Sequence, residues 1–311
     1  MQKFDRVYSL SVEVNRGSYV GINTSPLKEQ YLPNRSVTIT LPFTLEFEVN
    51  RGGIATAQTA TFRIYNLGEV TRNAIQRDAF TFTDFRAIQF RAGYWSPAGN
   101  FMPLVFNGTV KTAYSYRRGV DFITEIQAYD GGWQMSNINT VSLTLEAGST
   151  GTETITRLSK LMTGLDGIPI VGNYPVANKR GEVLFGNAWQ LIQLKSGFTA
   201  VIDNGQVKAL NRDEIIAGQI PLISSATGLL GSPQRSDASL DFEMIFEPRL
   251  TLYQLVRLES SSQPIYNRNW KVMGIQHRGT ISPRVGGDAL TKVQLFFNDT
   301  SFKAIEANLV Q

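Results

Sequence analysis

Gly228 to Glu259 reads GLLGSPQRSDASLDFEMIFEPRLTLYQLVRLE, and its patterning decides the fold class. After a Gly-rich turn, polar and apolar residues alternate through Ser239, Leu240, Asp241, Phe242, Glu243, Met244, Ile245 and Phe246. The run breaks at Glu247-Pro248-Arg249 and resumes from Leu252 to Leu258. Successive side chains of a strand point to opposite faces, so this period of two predicts two strands around a proline corner. A third apolar run, Trp270 to Gly279, and a fourth, Thr291 to Phe297, complete the set. Together the four predict a small barrel or sandwich.

The same period returns at the other end of the chain. Val7 to Val14, Ser36 to Leu41 and Phe43 to Val49 alternate, and Gln58 to Leu67 follows the turn signal Gly52-Gly53. Asn66 is placed to cap a short helix running to about Arg77. Further strands are predicted over Ala87 to Tyr94, Leu104 to Val110, Thr112 to Tyr116 and Asp121 to Tyr129, the last two joined by Arg117-Arg118-Gly119-Val120. Alternation of this kind buries one face and leaves the other wet or paired with a partner. Short turns between such strands point to an antiparallel barrel over residues 1–134.

Between the two β-rich ends, residues 135–222 change character. Thr150 and Glu153 have capping-box spacing before Ile155, Leu158, Leu161 and Met162, with Gly164 to end that helix. Asn187 repeats the device before Leu191, Ile192 and Leu194, with Gly197 as the stop. Phe198 to Ile202 and Gln206 to Leu210 flank Asp203-Asn204-Gly205, a tight-turn signal for a hairpin. The expectation is therefore a mainly β chain with an α+β insertion: a barrel over 1–134, an α+β unit over 135–222 and a second barrel over 223–311.

Composition excludes several chemistries. The 311 residues carry 30 basic and 26 acidic side chains, 42% apolar residues, one histidine and no cysteine. Thiol catalysis, disulfides and cysteine-ligated metals are thereby ruled out, and His277 alone cannot make a two-histidine site. Charge is spread evenly, with no basic tail for nucleic acid. The first residues, MQKFDRVYSLSVEV, lack the apolar core of a secretion signal, and no window nears the ~20 apolar residues that span a bilayer. The expectation is a product without membrane insertion, kept inside the cell that makes it.

Carboxylates are the remaining catalytic candidates. Asp241, Glu243 and Glu247 cluster, and glycoside hydrolysis uses paired carboxylates. Asp241 and Glu243, however, alternate with Phe242 and Met244, which reads as the solvated face of a strand. His277 reads as a surface or turn residue, and Gly286-Gly287-Asp288, Asp130-Gly131-Gly132 and Asp166-Gly167 read as turns. Tyr114, Tyr116, Arg117 and Arg118 come nearest to a nucleic-acid face, but a hairpin tip with two arginines suits an ion-paired subunit contact equally well. No metal or cofactor site is predicted.

Taken as a set these segments resemble a known family. Gly228 to Pro233, Ile245 to Leu250, Leu255 to Ser260, and Trp270 to Gly279 are similar in kind and order to the C-terminal barrel of phage baseplate central hub proteins, the tail-tube-like hubs of contractile tails. Phe246-Glu247-Pro248 stands where that family has Leu-Asn-Pro, and Arg278-Gly279-Thr280 where it has Gly-Asp. Asn187 to Ile192 with Phe198 to Gly205 resembles its inserted unit, and Thr61 to Leu67 with Phe106 to Val110 its first tube-like part.

The resemblance implies a non-enzymatic virion protein assembled in the host bacterial cytoplasm, a homotrimer with two tube-like barrels per chain. It would adapt a sixfold tail tube to a threefold central spike or tip protein, and touch baseplate wedge and tape-measure proteins. DNA would pass through its lumen without specific binding. Arg117, Arg118, Asp241 and Glu243 are the candidate interface residues. A carbohydrate-degrading tail enzyme, or a tail-tube or type VI spike-like subunit, is the alternative.

Overall fold

The computed structural model describes residues 5–14, 36–53, 57–78, 85–97, 99–136, 140–162, 164–165, 167–237, 239–283, 287–296, 301–307 and 309. In the first part of the chain these form β1 (Arg6–Glu13), β2 (Ser36–Thr40), β3 (Leu45–Gly52), β4 (Gln58–Tyr65), α1 (Glu69–Ile75), β5 (Ala87–Tyr94), β6 (Leu104–Arg118) and β7 (Asp121–Asp130). The middle carries α2 (Gly132–Ser136), β8 (Thr140–Leu145), α3 (Gly151–Lys160), β9 (Glu182–Asn187), α4 (Ala188–Lys195), β10 (Ala200–Asp203) and β11 (Gln206–Ala209). Then follow β12 (Glu214–Ile216), β13 (Leu222–Ile223), β14 (Leu229–Arg235), β15 (Ser239–Ile245), β16 (Leu255–Leu258), β17 (Asn269–Ile281), β18 (Ala289–Phe296) and β19 (Lys303–Ile305).

Thirteen strands share one sheet, in the order β14-β15-β18-β17-β3-β4-β7-β6-β5-β1-β2, with β16 also on β17 and β13 on β16. Two separate barrels are the expectation from the sequence, and here the structure differs: among the described residues no sheet closes, and the two β-rich halves run into one another. The reason lies in β17. Its first residues pair with β16, Leu255 opposite Lys271, and its last eight pair with β3, from Gly274 opposite Gly52 to Ile281 opposite Leu45. Partners change at a register shift between Val272 and Gly274, where the Gly53 N–H donates to the Met273 carbonyl at 2.7 Å. An added Cβ on Gly53 would come within 2.9 Å of the Met273 side chain, so glycine allows this close approach.

The halves also share packing. One core gathers Phe47, Phe62, Phe90 and Phe106 of β3–β6, and into it reaches Phe246 from the proline corner. The Phe246 ring lies 5.5 Å from that of Phe47, and its carbonyl accepts the Tyr94 hydroxyl at 2.6 Å. A second core is built on Phe242, Leu252, Val256, Trp270, Val272 and Leu295. A third, around Ile155, Leu158, Trp189 and Ile192, belongs to the middle segment.

Local signals in the middle segment are followed closely. Thr150 Oγ1 accepts the Glu153 N–H and Asn187 Oδ1 accepts the Gln190 N–H, each capping its helix. Asn204 and Gly205, at φ of 55° and 71°, turn β10 into β11. Asn66 does something else. It adopts φ 59°, the helix cap position falls on Gly68, and its side chain instead bridges Asp121 and the Phe122 N–H. The predicted strands over 104–110 and 112–116 are one, with a bulge between Val110 and Thr112. The turn residues Asp166 and Gly286 lie outside the described residues.

Candidate assembly surface

The outward face of the continuous sheet is polar, and strand register decides which residues meet there. On β3 the odd positions Leu45, Phe47, Val49 and Arg51 are buried while Glu46, Glu48 and Asn50 face out. On β17, Gln276, Arg278 and Thr280 face out, and on β18 Lys292 and Gln294. Pairing stacks these into rows across the seam. One row runs Thr280, Glu46, Arg63, Glu125, Tyr114, and the next Arg278, Glu48, Thr61, Gln127, Thr112. A third runs Glu243, Lys292, Gln276, Asn50, Thr59, Tyr129. Opposite charges thus sit across neighbouring strands, the arrangement that favours pairing in sheets.

Direct bonds knit the rows. Arg278 Nη2 donates to Glu243 Oε1 at 2.9 Å, Gln276 Nε2 to Glu48 Oε1 at 3.0 Å, and Lys292 Nζ lies 3.9 Å from Asp241. Arg63 Nε donates to Glu125 Oε2 at 2.8 Å, and Tyr114 and Gln127 donate to Glu125 Oε1. Burial pushes the Glu125 carboxyl up, but the hydrogen bonds from Arg63, Gln127 and Tyr114 outweigh it and hold the group below its ordinary value. Tyr65 is pushed up to about 12, by burial first and then by its bond to Glu46. Two shallow depressions of about 520 and 510 Å3 mark this face, the second lined by Asn50, Thr59, Gln276 and Gln294 beside Gly52 and Gly274. Its lining is rich in carboxamides and poor in aromatics. Such a surface offers many hydrogen bonds and, among the described residues, shallow depressions rather than an enclosed pocket.

Of the residues singled out from sequence, Asp241 and Glu243 stand on this face and Tyr114 joins it through Glu125. Arg117 and Arg118 lie together in sequence but alternate across the hairpin tip, far along the strand order from β15. Arg118 follows Tyr114 and Tyr116 outward. Arg117 turns to the other side, where its guanidinium and that of Arg72 both lie over the Phe122 ring, at 5.8 and 4.0 Å. Glu247 is not part of the polar face: it is buried and holds Arg249 through two bonds of 2.7 and 2.9 Å. Glu243 and Glu247, two of the clustered carboxylates, are therefore split between separate arginines.

His277 corrects the sequence reading most directly. It is fully buried, packed against the Phe246 ring at 5.4 Å, with Nδ1 2.9 Å from Thr291 Oγ1. Burial, and then Arg51, pull it down to about 3, so it is neutral and structural. Asp130 is likewise a buried strand end rather than an open turn. Glu46, Glu48, Arg63, Arg278 and Lys292 belong to the polar face but were not singled out from sequence. Period-two alternation marks each as outward, yet only the β3–β17 pairing makes them neighbours. Among the described residues no group of three or more His, Cys, Asp or Glu could hold a metal ion, and no helix is long and apolar enough to cross a membrane.

Residues 30–280 match the family described as Baseplate hub gp41. The chain belongs to the baseplate hub gp41 family. Solved structures share the fold at low identity. A tail protein from Neisseria meningitidis MC58 superposes with a TM-score of 0.58 at 9% identity, covering 94% of this chain and 96% of that one. The 43 kDa tail protein of prophage MuSo2 from Shewanella oneidensis gives 0.55 at 7%, over 92% and 96%. An E. coli component of the type VI secretion system, itself described as similar to T4 bacteriophage tail proteins gp27 and gp5, gives 0.55 at 10%, over 86% and 77%. No curated protein matches. Family membership makes this chain a structural component of a phage tail.

Proposed function

We propose that the chain is the trimeric central hub of a phage baseplate, a non-enzymatic adaptor between a sixfold tail tube and a threefold spike. The family match over residues 30–280 carries this reading. The sheet's form supports it: β14, paired with β15, and β2, paired with β1, end the strand order with one edge each unpaired among the described residues, and open edges invite pairing with neighbouring copies. Two of the three hydrophobic cores are built mostly from the β-rich ends, one mainly from 1–134 and one mainly from 223–311, which supports two tube-like modules per chain flanking the 135–222 unit.

In this reading the polar face lines the lumen. Three of its acids, Glu125, Glu243 and Asp241, are paired with Arg63, Arg278 and Lys292, so it neither attracts nor strongly repels a passing polyanion. Arg118, Asp241 and Glu243 contribute to it, and Arg117 faces a neighbouring subunit. Light scattering on the purified chain with its spike partner tests the proposal. A particle whose mass includes three copies of the 34.6 kDa chain is expected, and threefold class averages in projection images. A monomer that persists with the partner present would refute it.

A further inference from the structure

The middle segment meets the large sheet through the tip of the β10–β11 hairpin, and the contact is built from buried charge. Arg51 of β3 grips Asp203 of β10 with two bonds, Nε to Oδ1 at 2.7 Å and Nη2 to Oδ2 at 2.8 Å. Lys208 of β11 reaches the same carboxylate at 2.5 Å. Beside them Asp130, the last residue of β7, accepts the Gly205 N–H at 3.1 and 3.2 Å through its two oxygens. Asn107 of β6 completes the seat: its N–H donates to Asn204 Oδ1 and its side-chain amide to the Asn204 carbonyl, each at 3.2 Å. Asp130, Asp203, Lys208 and Arg51 are all buried.

The donors are unevenly shared. Both cations bond to Asp203, whereas among the described residues the Asp130 carboxyl takes its bonds from backbone N–H groups of the hairpin turn. An ionised Asp130 would be a desolvated anion next to another carboxylate with no cation bonded to it, which is strongly unfavourable. A protonated Asp130 carries no such cost and keeps its acceptor bond to Gly205.

We propose that the hairpin is latched to the sheet by a proton-dependent catch: the docked state is the one in which Asp130 holds a proton, and ionising Asp130 loosens the β10–β11 hairpin. The groups facing it are Arg51 on β3, Asp203 on β10, Lys208 on β11 and the turn amides, with Tyr253 and His277 behind Asp203 and Arg51. Burial, and then Asp203, push Asp130 up to about 8, against the Gly205 and Asn204 N–H groups and Arg51. Asp203 is held well below the usual carboxylate range: burial would raise it, and Arg51 and Lys208 outweigh that. Burial pushes Lys208 down, against the pull of Asp203.

The direction of the pH dependence follows. A carboxyl raised from about 4 to about 8 keeps its proton when docked and loses it when open, so docking is strongest at low pH, weakens as pH rises through that interval and levels off above it. Amide hydrogen exchange of Val201, Ile202, Val207 and Ala209, corrected for intrinsic rates, reads the opening of the hairpin. Between pH 6.5 and 9 the opening constant should rise about thirtyfold in the wild type. In Asp130→Asn, which keeps an acceptor for Gly205 and cannot ionise, it should stay flat and start no higher. Asp203→Asn, which breaks the Arg51 clasp, should open the hairpin at every pH. A flat wild-type profile would overturn the proposal. So would an Asp130→Asn protein that fails to fold or exchanges faster than wild type at pH 6.5.

Discussion

Two regions of this protein use the same residue types to opposite ends. On the outward sheet face, Glu243, Arg278, Asp241 and Lys292 pair across strands while each stays wet; at the hairpin junction, Arg51, Asp203 and Lys208 pair with no access to water. Exposed pairs gain little, because water solvates either partner alone almost as well. Buried pairs need every member, because removing one strands the others in a medium that cannot solvate them. The first region is suited to contacts that slide or exchange, and the second to fixing one unit against another.

The contrast can be broken most forcefully at Arg51. Arg51→Met leaves Asp203 buried with Lys208 alone, and the unfolding free energy should fall by ~3–5 kcal/mol in denaturant titration. A loss comparable to that of a surface pair would mean the junction is hydrated. Phe246→Ala tests whether the two halves truly share a core. It should cost about 3–5 kcal/mol and do so in one cooperative transition, whereas two separate transitions would show independent halves.

His277 offers a subtler probe of the same buried seam. Its pKa is lowered to about 3 in the folded state, so its contribution is intact above the ordinary value near 6.5 and is lost as pH falls towards 3. Stability should drop by roughly 3 kcal/mol between pH 6.5 and 4, and His277→Gln should flatten that part of the profile. The smallest effect belongs to the polar face. Glu243→Gln should change stability by under ~1 kcal/mol, with added salt erasing the difference between the two proteins. A larger, salt-resistant loss would make Glu243 a structural residue rather than a surface one.

Much of this was legible in the chain itself. Period-two alternation located the strands, and the Thr150 and Asn187 caps and the Asn204-Gly205 turn were readable because each depends on a few adjacent residues. Asp241 and Glu243 were correctly placed on a wet face by the apolar residues between them. Residues whose role depends on distant neighbours were misread. His277 sits at an inward position of β17, where it ends up against Phe246 only because the corner after β15 folds that ring into the core of β3–β6. Asp130 reads as a turn because Gly131-Gly132 follows it, and nothing local announces that Gly205, 75 positions later, will cover it.

The sequence by itself determined which residues face in and which face out, since that alternation is a property of one strand's backbone. It also determined the chemistry the protein lacks, having no cysteine and one histidine. That β17 divides its pairing between β16 and β3, joining two expected barrels into one sheet, came from the packing of distant strands. Strand pairing is set by which apolar faces can be buried together across more than two hundred residues, and no short-range pattern encodes it.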